Sequence, residues 1–325
     1  MDFQADTKTL KLSVAEINAL RLRLKLTPND LSMIPRLVSE DGDAIVDMQA
    51  FSNLATDQQS IFLDLIRTLC NPESSILWNE TVSDLTFSRN AAAWVSAIPD
   101  RWAVITIAGD DIWLRSRSTS EICQSFIQFL AVHPGLARHN FHLAGSTSAA
   151  ITSLAALDQS MLLNLHSKLT HTKPASTFSA KELLKRIEES DKEDFRWPLL
   201  FLEKLIPVNL KTLLQPSQLN TSLAELTQAG LLVSIPDDDK KPNNDLFMFT
   251  QAGEILEQGF LHETAKVGIR VSSLSENGEI IHEVLLLLRD PFSLWLMDLT
   301  GSEGAILDLG EMECKQIIGK IFKNI

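Results

Sequence analysis

The stretch from Ala91 to Leu130 sets out strands, a tight turn and a closing helix, and the same order recurs loosely from Ile269 to Phe322. A chain that writes one supersecondary pattern twice is tightly constrained, because each copy has an apolar face to bury and the two copies must stack or sit side by side. In the first copy Ala91–Ile98 is apolar and runs into the turn residues Pro99 and Asp100. Trp102–Ile107 is a β-branched run, turned by Ala108–Asp111 into Ile112–Arg115, and Gly109 supplies the positive φ that a tight hairpin needs. Ser118-Thr-Ser-Glu121 then has the spacing of a capping box, in which the serine hydroxyl accepts from the Glu121 amide and the glutamate accepts from the Ser118 amide. Ile122, Phe126, Phe129 and Leu130 follow at helical spacing.

In the second copy Ile269–Leu274 is a strand turned by Glu276-Asn-Gly-Glu279. Val284–Leu288 is a buried strand, Leu294–Met297 the next, and Asp308–Glu311 stands where the first copy has its capping box. Trp113 and Trp295 take matching places in this alignment, each in the strand before the helix, and Thr300–Gly310 reads as a longer connection.

The remaining segments fill in around these copies. Leu12–Leu26 is an amphipathic helix opened by Ser13 and Glu16, Asn29–Val38 a short helix, and Gln58–Cys70 a helix ended by Asn71-Pro72. Residues 133–178, with a small-residue run from Leu143 to Ala156, read as the connection between halves, helical from Leu157 to Leu169. Ser179 and Glu182 open another helix. Leu223–Gly230 is a helix closed by glycine, and the hairpin of Leu231–Ile235 with Leu246–Phe249 follows, with a helix from Ala252 to Phe260 beyond it. Helix, hairpin with a polar tip, helix is the order of a winged-helix unit, and Leu31–Val38 with the Asp41-Gly42 turn is a degenerate version of it. The expected architecture is therefore α+β, with two pseudo-symmetric halves, each a winged-helix-like helical piece followed by a small antiparallel sheet and a closing helix. The expected boundaries are 1–132 for the first half, 133–178 for the connection and 179–325 for the second half. Within that second half the winged-helix-like unit spans 199–260 and the sheet-plus-helix unit 265–325.

Charge narrows the function. The net charge is −13, and residues 179–325 carry 15 Lys and Arg against 24 Asp and Glu, so a phosphate backbone is repelled unless a local basic patch intervenes. The helix ahead of the wing, Thr221–Gln228, holds one acid and no base, and Lys240 and Lys241 at the wing tip are flanked by aspartates. Nucleic acid is an unfavoured partner, and a winged-helix transcriptional regulator is the alternative reading. Cys70, Cys123 and Cys314 lack metal spacing and read as buried thiols of a reducing compartment. The apolar runs are too short to span a bilayer, and the first residues lack a signal-peptide pattern, so the expected address is the cytoplasm and no membrane role is expected.

Catalytic and ligand motifs are weak. His133, His139 and His142 lack a completing zinc donor, Gly145–Ala149 lacks the second glycine of a nucleophile elbow, and Asp110-Asp111 are turn formers. No nucleotide-binding glycine loop occurs. The sequence thus offers no catalytic residue, cofactor, metal or small-molecule ligand. Trp78, after Asn71-Pro72, and Trp197, before Pro198, are the candidate anchors for a protein partner.

The succession of the Leu12–Leu26 helix, Arg36–Asp43, the helix closing on Leu69–Pro72, the Val104–Leu114 hairpin and the Glu121–Leu130 helix resembles the EspG family, the cytosolic chaperones of type VII (ESX) secretion. The resemblance implies two pseudo-twofold halves, each a sheet with helices. It further implies a non-enzymatic role, binding a helical secretion substrate in the cytosol and shielding its apolar tip.

Overall fold

The structure is a computed structural model that describes residues 2–4, 9–32, 49–82, 85–95, 101–108, 111–173, 175–189, 197–203, 205–206, 210–236 and 245–323. The first strands are β1 (Asp2–Gln4), β2 (Thr9–Ser13), β3 (Ser74–Val82), β4 (Leu85–Val95), β5 (Trp102–Ala108) and β6 (Asp111–Arg117). After them come β7 (His142–Ser146), β8 (Phe178–Ser179), β9 (Leu232–Ile235) and β10 (Leu246–Phe249). The last four are β11 (Ala265–Leu274), β12 (Ile280–Arg289), β13 (Leu294–Asp298) and β14 (Glu303–Asp308). The helices are α1 (Val14–Arg23), α2 (Gln49–Ser52), α3 (Thr56–Cys70), α4 (Thr119–Phe129), α5 (Thr147–Thr170) and α6 (Ala180–Glu188). Further helices are α7 (Pro198–Glu203), α8 (Leu210–Leu213), α9 (Pro216–Gln228), α10 (Gln251–Leu261) and α11 (Glu311–Lys323).

The protein is α+β. Among the described residues one sheet of 11 strands runs β1-β2-β6-β5-β4-β3-β11-β12-β13-β14-β7, and a second sheet runs β8-β10-β9. Its centre is the antiparallel ladder between β3 and β11, from Ser74 opposite Ser273 to Val82 opposite Ala265. On either side a four-strand meander runs outward, β3 to β6 and β11 to β14, and each ends in a helix, α4 or α11. Outside each meander sits a strand that feeds directly into a helix: β2 into α1 and β7 into α5. The junctions are chemically alike, since Ser13 accepts from the Glu16 amide and Ser146 from the Ala149 amide.

Side-chain alternation along these strands assigns the layers. Leu285, Leu287, Leu294 and Leu296 face one side, together with Ile76, Trp78, Val267 and Ile269, and are covered by α4 and α11. Aromatic edges knit that layer: Trp78 on Phe126 at 5.5 Å, Trp102 on Phe322 at 5.2 Å, and Phe126 beside Phe322 at 5.5 Å. On the opposite side α1 and α3 cover Leu10, Leu12, Ile105, Ile112 and Leu114. Val284, Leu286, Leu288, Trp295, Met297 and Ile306 are covered there by α5, α6, α7, α9 and α10.

Several sequence expectations hold locally. The capping boxes at Ser13, Ser118 and Ser179 all form. The Ser275–Glu279 turn closes with Gly278 at φ +79°, the left-handed conformation for which glycine carries no steric penalty. The β9–β10 hairpin forms as read and gains β8 as a third strand.

Others change. Trp113 lies on β6, the fourth strand of its meander, whereas Trp295 lies on β13, the third, so the two tryptophans do not occupy equivalent places. The difference lies in Thr300–Gly310: residues 303–308 form β14, and their alternation of Gly304, Ile306 and Asp308 inward is masked by glycine and acid. Asp308 is no helix cap. Its carboxylate accepts the backbone N–H groups of His139, Asn140 and Phe141 at 2.6–3.1 Å. Residues 133–178, read as a connection, contain the edge strand β7 and the helix α5, whose residues from Ala149 to Ser160 are buried. The Leu31–Val38 helix, the Asp41-Gly42 turn, Gly109, Asp110 and the Lys240-Lys241 tip lie wholly or mainly outside the described residues.

Candidate partner-binding surface

A cleft of about 880 Å³ opens between one face of α10 and the turn joining β12 to β13. Gln251, Glu254, Ile255, Gln258, Gly259 and His262 line one wall, a spacing that puts them on a single helix face. Ala137, His139, Pro291 and Phe292 make the other. Phe292 is 73% exposed and Ile255 38% exposed, so the cleft presents an aromatic and an aliphatic side chain to solvent.

The turn that carries Phe292 is held rigidly from below. Asp290, itself buried, accepts the backbone N–H of Phe292 at 2.7 Å and of Ser293 at 2.8 Å on one carboxylate oxygen. Its other oxygen accepts the indole N–H of the fully buried Trp295 at 2.9 Å. His139 stacks on the Trp295 ring at 5.6 Å, nearly parallel, and its Nε2 lies 2.8 Å from the Ser293 hydroxyl. The guanidinium of Arg289 donates to the carbonyls of Ser293 and Pro291, and the Ala137 amide donates to the Phe292 carbonyl at 2.7 Å. A fixed turn presents its aromatic residue without having to order it on binding, which lowers the entropic cost of association.

The residues singled out from the sequence fall elsewhere. Trp78 sits in the central strand β3, 5% exposed under α4, and cannot serve as an exposed anchor; the pairing of β3 on both edges puts this residue inside. Trp197 is half-buried ahead of α7, with the Arg186 guanidinium 4.1 Å from its ring centre. Of the three histidines, His139 belongs to the Phe292 turn, while the ring of His133 lies 3.4 Å from Arg289 and His142 is on β7. Among the described residues no three potential metal ligands come together. Burial pushes the Cys70 thiol up to about 11 and the Cys314 thiol up to about 12, far from the thiolate character a nucleophile needs. Nothing in the sequence singles out Phe292, whose Arg-Asp-Pro-Phe setting reads simply as a turn.

Beneath the helical layer lies a buried charged group. Lys266, with no exposed surface, pairs with Glu263 and lies 5.7 Å from the Phe201 ring centre. Asp158 accepts from the Leu199 amide at 3.3 Å, at the start of α7. Burial pushes the Asp158 carboxyl up to about 7, against the opposing pull of Arg186 and Lys266. The charged group joins α5, α7 and β11 inside the core, and none of its residues lines the cleft beside Phe292.

No family model matches the sequence, and no curated relative matches it. Comparison with solved structures finds EspG5, the type VII secretion system chaperone of Mycobacterium tuberculosis, in complex with the PE25–PPE41 dimer. The match spans 98% of this chain and 96% of that one, at a TM-score of 0.50 and 9% sequence identity. The chain shares its overall fold with EspG5. At that identity the likeness is one of fold, reaching from the first strands to α11 and not stopping at the N-terminal elements that carried the EspG resemblance in the sequence. Within this EspG-like fold no described helix is long and apolar enough to cross a membrane.

Proposed function

We propose that the protein is a non-enzymatic, cytoplasmic protein-binding protein, a chaperone or adaptor that shields an apolar, helical part of another protein. The observation that carries this reading is Phe292, held 73% exposed beside a cleft by a turn that hydrogen bonds with Asp290, Arg289 and Ala137 fix in place. An exposed aromatic on a rigid support is the form that a binding hot spot takes. The EspG-like fold supports the same reading, since EspG5 was solved holding a protein dimer.

The winged-helix regulator is less well supported. The face of α9 turned to the body buries Leu219, Leu223 and Leu226, and Glu225 accepts from both the amide and the hydroxyl of Ser146. What α9 leaves for a DNA groove contains no Lys or Arg.

Affinity capture from the native host with the wild-type chain and with Phe292→Ser tests the proposal. A stoichiometric protein retained by the first and lost by the second is the expected result. A capture that is empty, or unchanged by the substitution, overturns it. A gel shift showing tight DNA binding that weakens steeply with salt would favour the regulator instead.

A further inference from the structure

The face of α5 that packs into the core outlives the body it packs against. Ile151, Leu154 and Asp158 are buried on that face. One, two and three turns further on, the same face carries Leu162, Leu165 and Leu169, spaced three and four residues apart. Leu162 is half-buried, Leu165 is 46% exposed and Leu169 is 74% exposed, so the stripe emerges progressively into solvent.

Its charge runs against that of the chain. The protein carries a net charge of −13, yet no carboxylate occurs from Gln159 to Lys181, while Lys168 and Lys173 flank the exposed leucines and both point to solvent. We infer that the C-terminal end of α5 is a docking face for an acidic amphipathic helix of a protein partner. Three leucines at three-four spacing form a seam one residue wide, which matches the ridge of a single packed helix. A membrane-surface helix needs a broad apolar face with aromatic anchors and a richly cationic opposite face, and this end has neither. A second copy of the chain would bring Lys168 and Lys173 against their own equivalents. Carboxylates on the incoming helix complement them instead. The inference stands on a different surface from the Phe292 cleft and keeps or fails independently of it.

The test is a displayed library of helical peptides with leucine at three-four spacing and either glutamate or lysine at the flanking positions, selected on the full chain. Enrichment of the glutamate members is expected. Their affinity should fall at least tenfold with Leu165→Ser/Leu169→Ser, fall similarly with Lys168→Glu/Lys173→Glu, and weaken with salt. Both double variants change exposed positions, and circular dichroism confirms that they fold. Enrichment of lysine members, absence of any enrichment, or binding indifferent to the leucines overturns the inference. So does leucine-dependent self-association in sedimentation, or leucine-dependent binding to phosphatidylserine–phosphatidylcholine vesicles in place of the peptides.

Discussion

Gly259 and Trp295 meet with no room for a methyl group between them: a Cβ at position 259 would lie 2.5 Å from the indole nitrogen and 3.1 Å from the Asp290 carboxylate. The close approach lets α10 lie against the strand that carries Trp295, and so sets the width of the cleft. Gly259→Ala forces either the helix or the indole to move. Overpacking of this kind costs about 1–3 kcal/mol, to be read as a lowered urea midpoint with an unchanged m-value.

Asp290 holds three donors at once, the Trp295 indole and the amides of Phe292 and Ser293. Asp290→Ala leaves a buried indole N–H without an acceptor and releases the turn. The expected loss is about 2–3 kcal/mol, with faster hydrogen exchange at the Phe292 and Ser293 amides. Asp290→Asn keeps one carbonyl acceptor and should fall between the two.

Phe292→Ser separates binding from stability. A side chain 73% exposed contributes little to the core, so the unfolding free energy should stay within about 0.5 kcal/mol of wild type. Partner capture should nonetheless be lost.

Burial raises the Asp158 carboxyl to about 7 from its ordinary value of 3.8. The folded chain therefore binds this proton more tightly than the unfolded chain does. The stabilisation is complete below pH 3.8 and is lost as pH rises through about 7, with a limiting slope of about 1.4 kcal/mol per pH unit inside that window. Asp158→Asn keeps an acceptor for the Leu199 amide and carries no ionisable group. Denaturation of the two proteins between pH 4 and pH 8 should show that slope component in the wild type and not in the variant.

Glu263 neutralises Lys266, which has no exposed surface. Removing one charge of a buried pair costs more than the pair contributes, because the other is left in a poorly solvating interior. Glu263→Gln should therefore lose about 3–5 kcal/mol, and adding Lys266→Met should recover part of it in a double-mutant cycle.

Legibility in the sequence followed the range of the interaction. Caps were readable because Ser13–Glu16, Ser118–Glu121 and Ser179–Glu182 close within one turn, and the same is true of the Gly278 turn. The α+β class and the strand-rich centre were readable from β-branched runs. Strands defined by distant partners were not. β3 holds Asn79, Glu80 and Thr81, polar residues that are buried only because β4 and β11 flank them. β14 and β7 are short, rich in glycine and alanine, and pair with each other across a long separation in the chain, with β14 also paired to β13. The cleft was illegible for the same reason, since it joins α10 to a loop and a turn from other parts of the chain. Trp78 shows the converse, a residue whose local setting suggested exposure and whose sheet position buries it.

The ladder at the middle of the large sheet pairs a strand from the first third of the chain with one from the last quarter. During synthesis the N-terminal meander is finished long before its mate leaves the ribosome, and until then β3 offers a bare row of amides and carbonyls to any passing strand. The chain thus begins life with one of its own pairing edges uncovered, and its yield in the cell should depend on how quickly translation delivers β11.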